Sequence, residues 1–324
     1  HGVSSGYATK IYKQYRDQSI AVVRENPYRL ATDIFGIGFV TADRIAGNLG
    51  IEKDSPLRAG AGIIYVLQQL TDEGHVYYPY EPLVAKSIEI LDVVRTVVVQ
   101  ALGDAALEGR IVIEDLNDDA DTTRINHKAV FLAPLHVCET RLAERLQRLL
   151  ETDRSLQTIA PERALSWVQQ QLSISLADQQ TEAVRQALAN KVMIITGGPG
   201  TGKTTIINAI LKIFRRLRAG ILLAAPTGRA AKRMSEATGH KARTVHRLLE
   251  YSFKNGGFQK NDQQPLDCDL LVLDEASMMD TILMHHLLKA VPLRDALVLV
   301  GDVNQQPSVG AGNVLPDIMA SGAV

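Results

Sequence analysis

The stretch Gly197-Gly198-Pro199-Gly200-Thr201-Gly202-Lys203-Thr204 constrains this chain more than any other feature of it. It fits the pattern Gly-x-x-x-x-Gly-Lys-[Ser/Thr] in full. It follows the apolar run Val192 to Thr196 and opens onto a helix-forming run from Thr205 to Leu217. Strand, glycine loop and helix in that order are what phosphate binding requires. Glycines let successive backbone N–H groups wrap an anion, the helix start faces it, and a lysine reaches the terminal phosphate oxygens. The expected ligand is a nucleoside triphosphate, held by Gly198, Pro199, Gly200, Thr201, Gly202, Lys203, Thr204 and Thr205, with the Thr204 hydroxyl on Mg²⁺.

The remainder of that region agrees. Apolar runs at Ile221 to Ala225, Leu270 to Leu273 and Ala296 to Val300 alternate with helical stretches. Nearly continuous apolar strands separated by helices predict a parallel sheet buried on both faces, an α/β nucleotide-binding domain. The second run ends in Asp274-Glu275. An acid at the end of a neighbouring buried strand completes such a site: Asp274 for Mg²⁺, and Glu275 to polarise the water that attacks the γ-phosphate. The third run continues into Gly301-Asp302-Val303-Asn304-Gln305. Ligands of parallel sheets sit beyond the carboxyl ends of the strands, so Gln305 is placed to sense the γ-phosphate or its water.

Composition bounds the rest. A length of 324 residues with 46% hydrophobic content suffices for two or three domains with real cores. The formal net charge is −1, so any nucleic-acid contact must come from a local patch. One such patch runs from Lys203 to Arg247, where eleven Lys/Arg residues face a single acid, Glu236. The plainer account of such a run is a solvated helix face. Cys138 and Cys268 stand far apart without a metal-ligand spacing, which fits a reducing cytoplasm and no disulfide framework. No run approaches the length of a membrane helix, so no membrane partner is expected. The start at His1-Gly2 and the end at Ser321-Gly322-Ala323-Val324 suggest a piece of a longer protein.

Residues 1–55 read as short helices at Tyr7 to Tyr15, Ser19 to Glu25, Tyr28 to Asp33 and Val40 to Leu49, separated by glycine-containing turns. Residues 56–160 read as an α-rich unit with a linker near Asp153 to Pro161. Within it, Arg110 to Ile113 and Ala129 to Leu132 flank the acidic segment Glu114 to Asp121. That pattern predicts a hairpin with a solvated tip, the wing of a winged-helix-like unit. Residues 161–324 form the nucleotide-binding domain.

Four ordered segments carry a resemblance: Gly197 to Thr204, Ala225-Pro226-Thr227-Gly228-Arg229-Ala230-Ala231, Asp274-Glu275-Ala276-Ser277-Met278-Met279-Asp280, and Gly301 to Gly310. Together they resemble the RecD/TraA group of superfamily 1 DNA helicases, to which the alpha subunit of exodeoxyribonuclease V belongs. The resemblance implies a RecA-like P-loop domain and ATP hydrolysis coupled to translocation on single-stranded DNA. It also implies unwinding of forked DNA in repair or recombination, with 5′ to 3′ polarity, and helicase or nuclease partner subunits. Residue by residue, it places Gln180 of Leu176 to Val184 against the adenine, which favours ATP as the nucleotide. Pro226, Thr227, Arg229, Thr244 and His246 fall on segments that contact single-stranded DNA in similar helicases. Tyr251 to Pro265, centred on Asn255-Gly256-Gly257, resembles the strand-separating pin of the group; the alternative is a surface loop. Where the group reads Gly-Asp-x-x-Gln-Leu-Pro, Gln306 here replaces the leucine. Similar helicases continue past the equivalent of Val324 into a second RecA-like domain that supplies arginines to the γ-phosphate. These 324 residues alone are therefore expected to show little DNA-stimulated turnover.

At the other end, Phe35-Gly36-Ile37-Gly38-Phe39-Val40-Thr41-Ala42-Asp43-Arg44-Ile45 resembles a helix-hairpin-helix motif, and Gly2 to Ile11 a degenerate second copy. Gly36 and Gly38 would let the backbone approach a DNA phosphate without reading sequence. Tandem copies can also serve as packing units, so that reading stays open. Two rivals to a DNA helicase remain at this level: a DNA-binding adaptor with a regulatory nucleotide switch, and an RNA helicase of the same superfamily.

Overall fold

The computed structural model describes residues 4–117, 127–154, 160–254, 256–303, 308 and 310–324. The chain divides into two compact units, His1–His136 and Val137–Val324. Among the described residues no helix is long and apolar enough to cross a membrane.

The first unit begins with four short helices, α1 (Ser5–Tyr15), α2 (Ser19–Glu25), α3 (Arg29–Asp33) and α4 (Phe39–Asn48). Each contributes too little apolar surface to stand alone. They cohere because Ile11, Leu30, Ile34, Ile37 and Ile45 bury into one small cluster. Next come α5 (Pro56–Asp72), β1 (Tyr77–Pro79), α6 (Tyr80–Leu91), α7 (Arg95–Leu107), β2 (Ile111–Asp115) and β3 (Lys128–Leu132). The three strands pair antiparallel in the order β1-β3-β2. With α6 and α7 between β1 and β2, this is the connectivity of a winged helix. The anticipated hairpin forms as β2 and β3, with Ile113 opposite Val130; the tip at 118–126 lies outside the described residues. A polar tie joins the two parts of this unit. Asp43 accepts from the Tyr28 hydroxyl (2.7 Å) and from two nitrogens of Arg58 (2.9 and 3.2 Å). Burial, with the Asp43 carboxylate beside it, pushes the Tyr28 hydroxyl well above the usual phenol range.

The second unit opens with α8 (Ala133–Glu151), which starts within the first unit. The sequence pattern places this helix in the α-rich unit of residues 56–160, but from Val137 on it lies in the second unit. Leu142, Leu146 and Leu149, spaced for one helical face, are buried in that unit's core. After it come α9 (Pro161–Leu172), α10 (Asp178–Ala189), β4 (Val192–Thr196), α11 (Lys203–Arg216), β5 (Ile221–Ala225) and α12 (Gly228–Thr238). The chain continues through β6 (Ala242–Thr244), α13 (Val245–Leu248), β7 (Tyr251–Ser252), β8 (Gly257–Phe258) and β9 (Leu270–Leu273). It closes with α14 (Thr281–Ala290), β10 (Ala296–Gly301) and α15 (Val314–Ala320).

Five of these strands form a parallel sheet in the order β4-β10-β9-β5-β6. Side chains of a strand alternate between faces, and here both faces are covered. Leu271, Leu273, Leu297 and Leu299 bury with α8, α14 and α15 on one side. Leu270, Val272, Val298 and Val300 bury with α9, α10 and α11 on the other. This is why β9 and β10 read as unbroken apolar runs, and it gives the layered arrangement of a RecA-like P-loop domain. The helix after the glycine loop starts at Lys203, two residues before the expected Thr205. Gly202 adopts a left-handed backbone (φ 84°), which turns the chain early enough for Lys203 and Thr204 to enter the first helical turn.

Candidate functional site

Strands β4, β9 and β10 run parallel, with Gly301 opposite Thr196 and Leu299 opposite Leu273. Their carboxyl ends therefore release three loops side by side: 197–202, 274–275 and the segment from Asp302. The first loop is closed on itself. Lys203 Nζ donates to the carbonyls of Gly197 and Gly198, the latter at 3.0 Å. Thr201 Oγ1 donates to the Gly198 carbonyl at 2.9 Å. Gly200 and Gly202 take left-handed backbones (φ 78° and 84°). Thr204 stands exposed at the second position of α11, and Thr205 beside it is half-buried. Gln180 reaches the same loop. Its Oε1 accepts the Ala177 N–H at 3.1 Å, capping α10, while a Cβ placed at Gly202 would collide with its amide nitrogen.

At the end of β9, burial pushes the Asp274 carboxyl above the ordinary range. The Glu275 N–H, 2.9 Å from Asp274 Oδ1, and the charges of Arg233 and Lys203 work against that rise. Glu275 itself holds a left-handed backbone (φ 52°), an uncommon conformation for a residue with a Cβ. Its carboxylate accepts from Arg233 Nη2 at 2.9 Å. Sequence reasoning did not single out Arg233, although its position four residues beyond Arg229 places both on one face of α12.

The segments at the ends of β9 and β10 are packed against each other through glycines. A Cβ at Gly301 would sit 2.6 Å from Leu315 and 3.2 Å from the Ser277 nitrogen. One at Gly310 would sit 2.5 Å from Asp280 Oδ2, the side chain that caps α14. Thr281 N–H donates to the Ala311 carbonyl at 3.0 Å. Gln305 lies outside the described residues, as does Gln306.

The second group of expected residues gathers at the neighbouring corner of the sheet. Ala225 pairs with Thr244, so the ends of β5 and β6 are level. Pro226 follows the first of these ends. Thr227 Oγ1 accepts from Ala230 N–H (3.2 Å) to cap α12, and Thr244 Oγ1 accepts from Arg247 N–H (3.3 Å) to cap α13. Arg229, Arg243, His246 and Arg247 are exposed. The His246 ring lies 5.5 Å from Phe258 and 6.0 Å from Tyr251. These two rings belong to the β7–β8 hairpin, where Tyr251 opposes Phe258 and Phe253 is 91% exposed. Asn255 at its turn lies outside the described residues.

In the first unit, Gly36 takes a left-handed backbone (φ 86°) and Gly38 caps α4 with open space around it. Lys10 Nζ, from the segment read as a degenerate copy, donates to the Phe35 carbonyl at 3.1 Å; Phe35 is 98% exposed.

Comparison with known proteins adds two family matches. Residues 1–77 match the helix-hairpin-helix domain of ATP-dependent RecD2 DNA helicases, and residues 180–311 match an AAA domain. An ATP-dependent RecD2 DNA helicase of Deinococcus radiodurans is 32% identical over 318 residues, covering 96% of this chain and 43% of the relative. A RecBCD enzyme subunit RecD of Haemophilus influenzae is 38% identical over 165 residues, covering 44% of this chain and 26% of the relative. The chain thus spans less than half the length of these relatives. A solved structure of Pif1 helicases at forked double-stranded DNA is 22% identical with a TM-score of 0.31. It covers 46% of this chain and 38% of that one, too distant to add to the argument.

Proposed function

Taking the chain as a relative of the RecD-type DNA helicases over the length it spans, we propose that it carries the nucleotide-hydrolysing half of an ATP-driven DNA motor. The observation that carries this reading is the placement of Lys203, Asp274 and Glu275 beyond the carboxyl ends of β4 and β9, the two strands that flank β10, with the nucleotide loop folded as a closed cradle. The proposed substrates are ATP and single-stranded or forked DNA, with 5′ to 3′ movement.

The residues fit a magnesium ion. A buried carboxyl such as Asp274, whose proton affinity burial has raised, gains most from a cation beside it, and the exposed Thr204 hydroxyl offers a second oxygen. When bound, the ion would neutralise charge on the phosphates. Lys203 exchanges the Gly197 and Gly198 carbonyls for phosphate oxygens, a stronger, charge-assisted pairing. The loop N–H groups and the start of α11 stabilise the rest of that charge. Gln180, seated against Gly202, orients the base. Glu275 accepts a proton from the attacking water. Pro226, Thr227, Arg229, Thr244 and His246 hold the DNA backbone at the next corner of the same sheet, so the two ligands share one rigid frame.

Turnover of ATP by the natural polypeptide that carries this chain, measured with no nucleic acid, with single-stranded DNA and with RNA, tests the reading. Stimulation by DNA above RNA is the expected result. No turnover under any condition would leave a nucleotide switch, and preferential stimulation by RNA would make it an RNA motor.

A further inference from the structure

Glu275, the residue that the functional reading assigns to the attacking water, is already engaged. Arg233 Nη2 donates to its Oε1 at 2.9 Å. The carboxylate is 18% exposed, whereas the Arg233 side chain is 65% exposed, so the guanidinium covers the acid from the solvent side. Arg233 belongs to α12, the helix whose first turn presents Thr227 and Arg229. Arg229 and Arg233 are four residues apart and so lie on one stripe about a turn apart along the helix. One end of that stripe stands free at the proposed DNA corner; the other end holds the acid of the nucleotide site.

We propose that the Arg233–Glu275 pair is a restraint that single-stranded DNA releases. This rests on the functional reading above and adds to it the connection between the two ligands. A carboxylate oxygen already occupied by a guanidinium is not free to receive the attacking water, so the paired state is slow. The DNA backbone offers what Arg233 exchanges Glu275 for: a row of phosphate oxygens reaching the same α12 stripe through Arg229. The pair is open to solvent on the arginine side, and such pairs are weak enough for a competing anion to displace. DNA binding therefore frees Glu275, and DNA loss returns it to Arg233. No bond is made or broken in this step beyond the ion pair.

The test uses the natural polypeptide that carries this chain. The turnover number and KM for ATP are measured with no DNA and with saturating oligothymidylate, for the wild type and for Arg233→Ala, Arg233→Gln, Arg233→Lys and Lys203→Ala. The expected result is that Arg233→Ala and Arg233→Gln raise DNA-free turnover roughly three- to fivefold, the effect of losing one partly exposed ion pair. KM for ATP and the DNA-saturated rate should stay near the wild type, so the stimulation ratio falls by the same factor. Arg233→Lys, which keeps the charge, should restore most of the restraint. DNA-free turnover at or below the wild-type level in both neutral variants, with thermal melting confirming that they are folded, overturns the proposal. Lys203→Ala separates the two readings. If it turns over ATP normally, the assignment of the nucleotide site fails; if it is inactive while the Arg233 variants show no release, only the restraint fails.

Discussion

The carboxyl edge of the five-stranded sheet and the hairpin between α3 and α4 both offer glycines and a helix start to an anion, yet they are built on opposite terms. At the sheet edge the backbone cradle is surrounded by side chains with proposed chemistry, Lys203, Asp274, Glu275 and Gln180, held by loop carbonyls, a buried strand end, an arginine and a helix cap. At the hairpin the backbone is nearly alone: Gly38 faces open space, Gly36 meets the flexible tip of Lys10, and Phe35 projects into solvent. A site that performs a reaction depends on which side chains converge. A site that grips a phosphate backbone depends on how closely the main chain can approach.

That contrast can be broken at several points. Lys203→Ala in the natural polypeptide is expected to lower ATP turnover about 100- to 1,000-fold, because the charge partner of the phosphates is gone from a preorganised site; a steady-state phosphate-release assay measures it. Glu275→Gln should cost about 100-fold in turnover while ATP binding, followed by a fluorescent analogue, stays near the wild type. A parallel loss of ATP affinity would show instead that Glu275 serves the local fold around its left-handed backbone.

Two glycine substitutions sharpen the comparison directly. Both positions have left-handed backbones, so each alanine carries a strain of about 1 kcal/mol. Gly202→Ala adds a collision with the Gln180 amide and should raise the KM for ATP by about tenfold, since the loop must shift by a fraction of the phosphate contact distance. Gly36→Ala meets only Lys10 Nζ, at 2.9 Å, at the free end of a flexible side chain. Its DNA affinity should fall by less than about fivefold, with no change in ATP turnover, and the salt dependence of binding should keep its slope. Equal effects of the two alanines on their respective ligands would erase the distinction drawn between the regions.

Much of this architecture is legible in the residues. β4, β5 and β9 match their apolar runs, and β10 extends its run by one residue, because strands buried on both faces must be apolar throughout. The helices of the first 55 residues are announced by glycine turns and helical spacing, and the β2–β3 pairing by its two short flanking runs. β1 and β6 were not legible. Three residues carry no periodicity, and each is a strand only because a partner, β3 or β5, supplies its hydrogen bonds. The docking of α8 was hidden for a related reason. Its stripe of leucines declares an apolar face but not which core receives it.

By itself, then, the sequence determined the four apolar strands β4, β5, β9 and β10, the phosphate loop and the acids that follow β9, because local chemistry confines these residue types to such places. Tertiary structure alone decided that Arg233 meets Glu275, that Gly301 and Gly310 seat one loop against another, and that β5 and β6 end level, with Ala225 opposite Thr244. Those contacts join residues up to 42 positions apart. No propensity or spacing encodes them, since the packing of helices on a sheet sets which side chains come within reach.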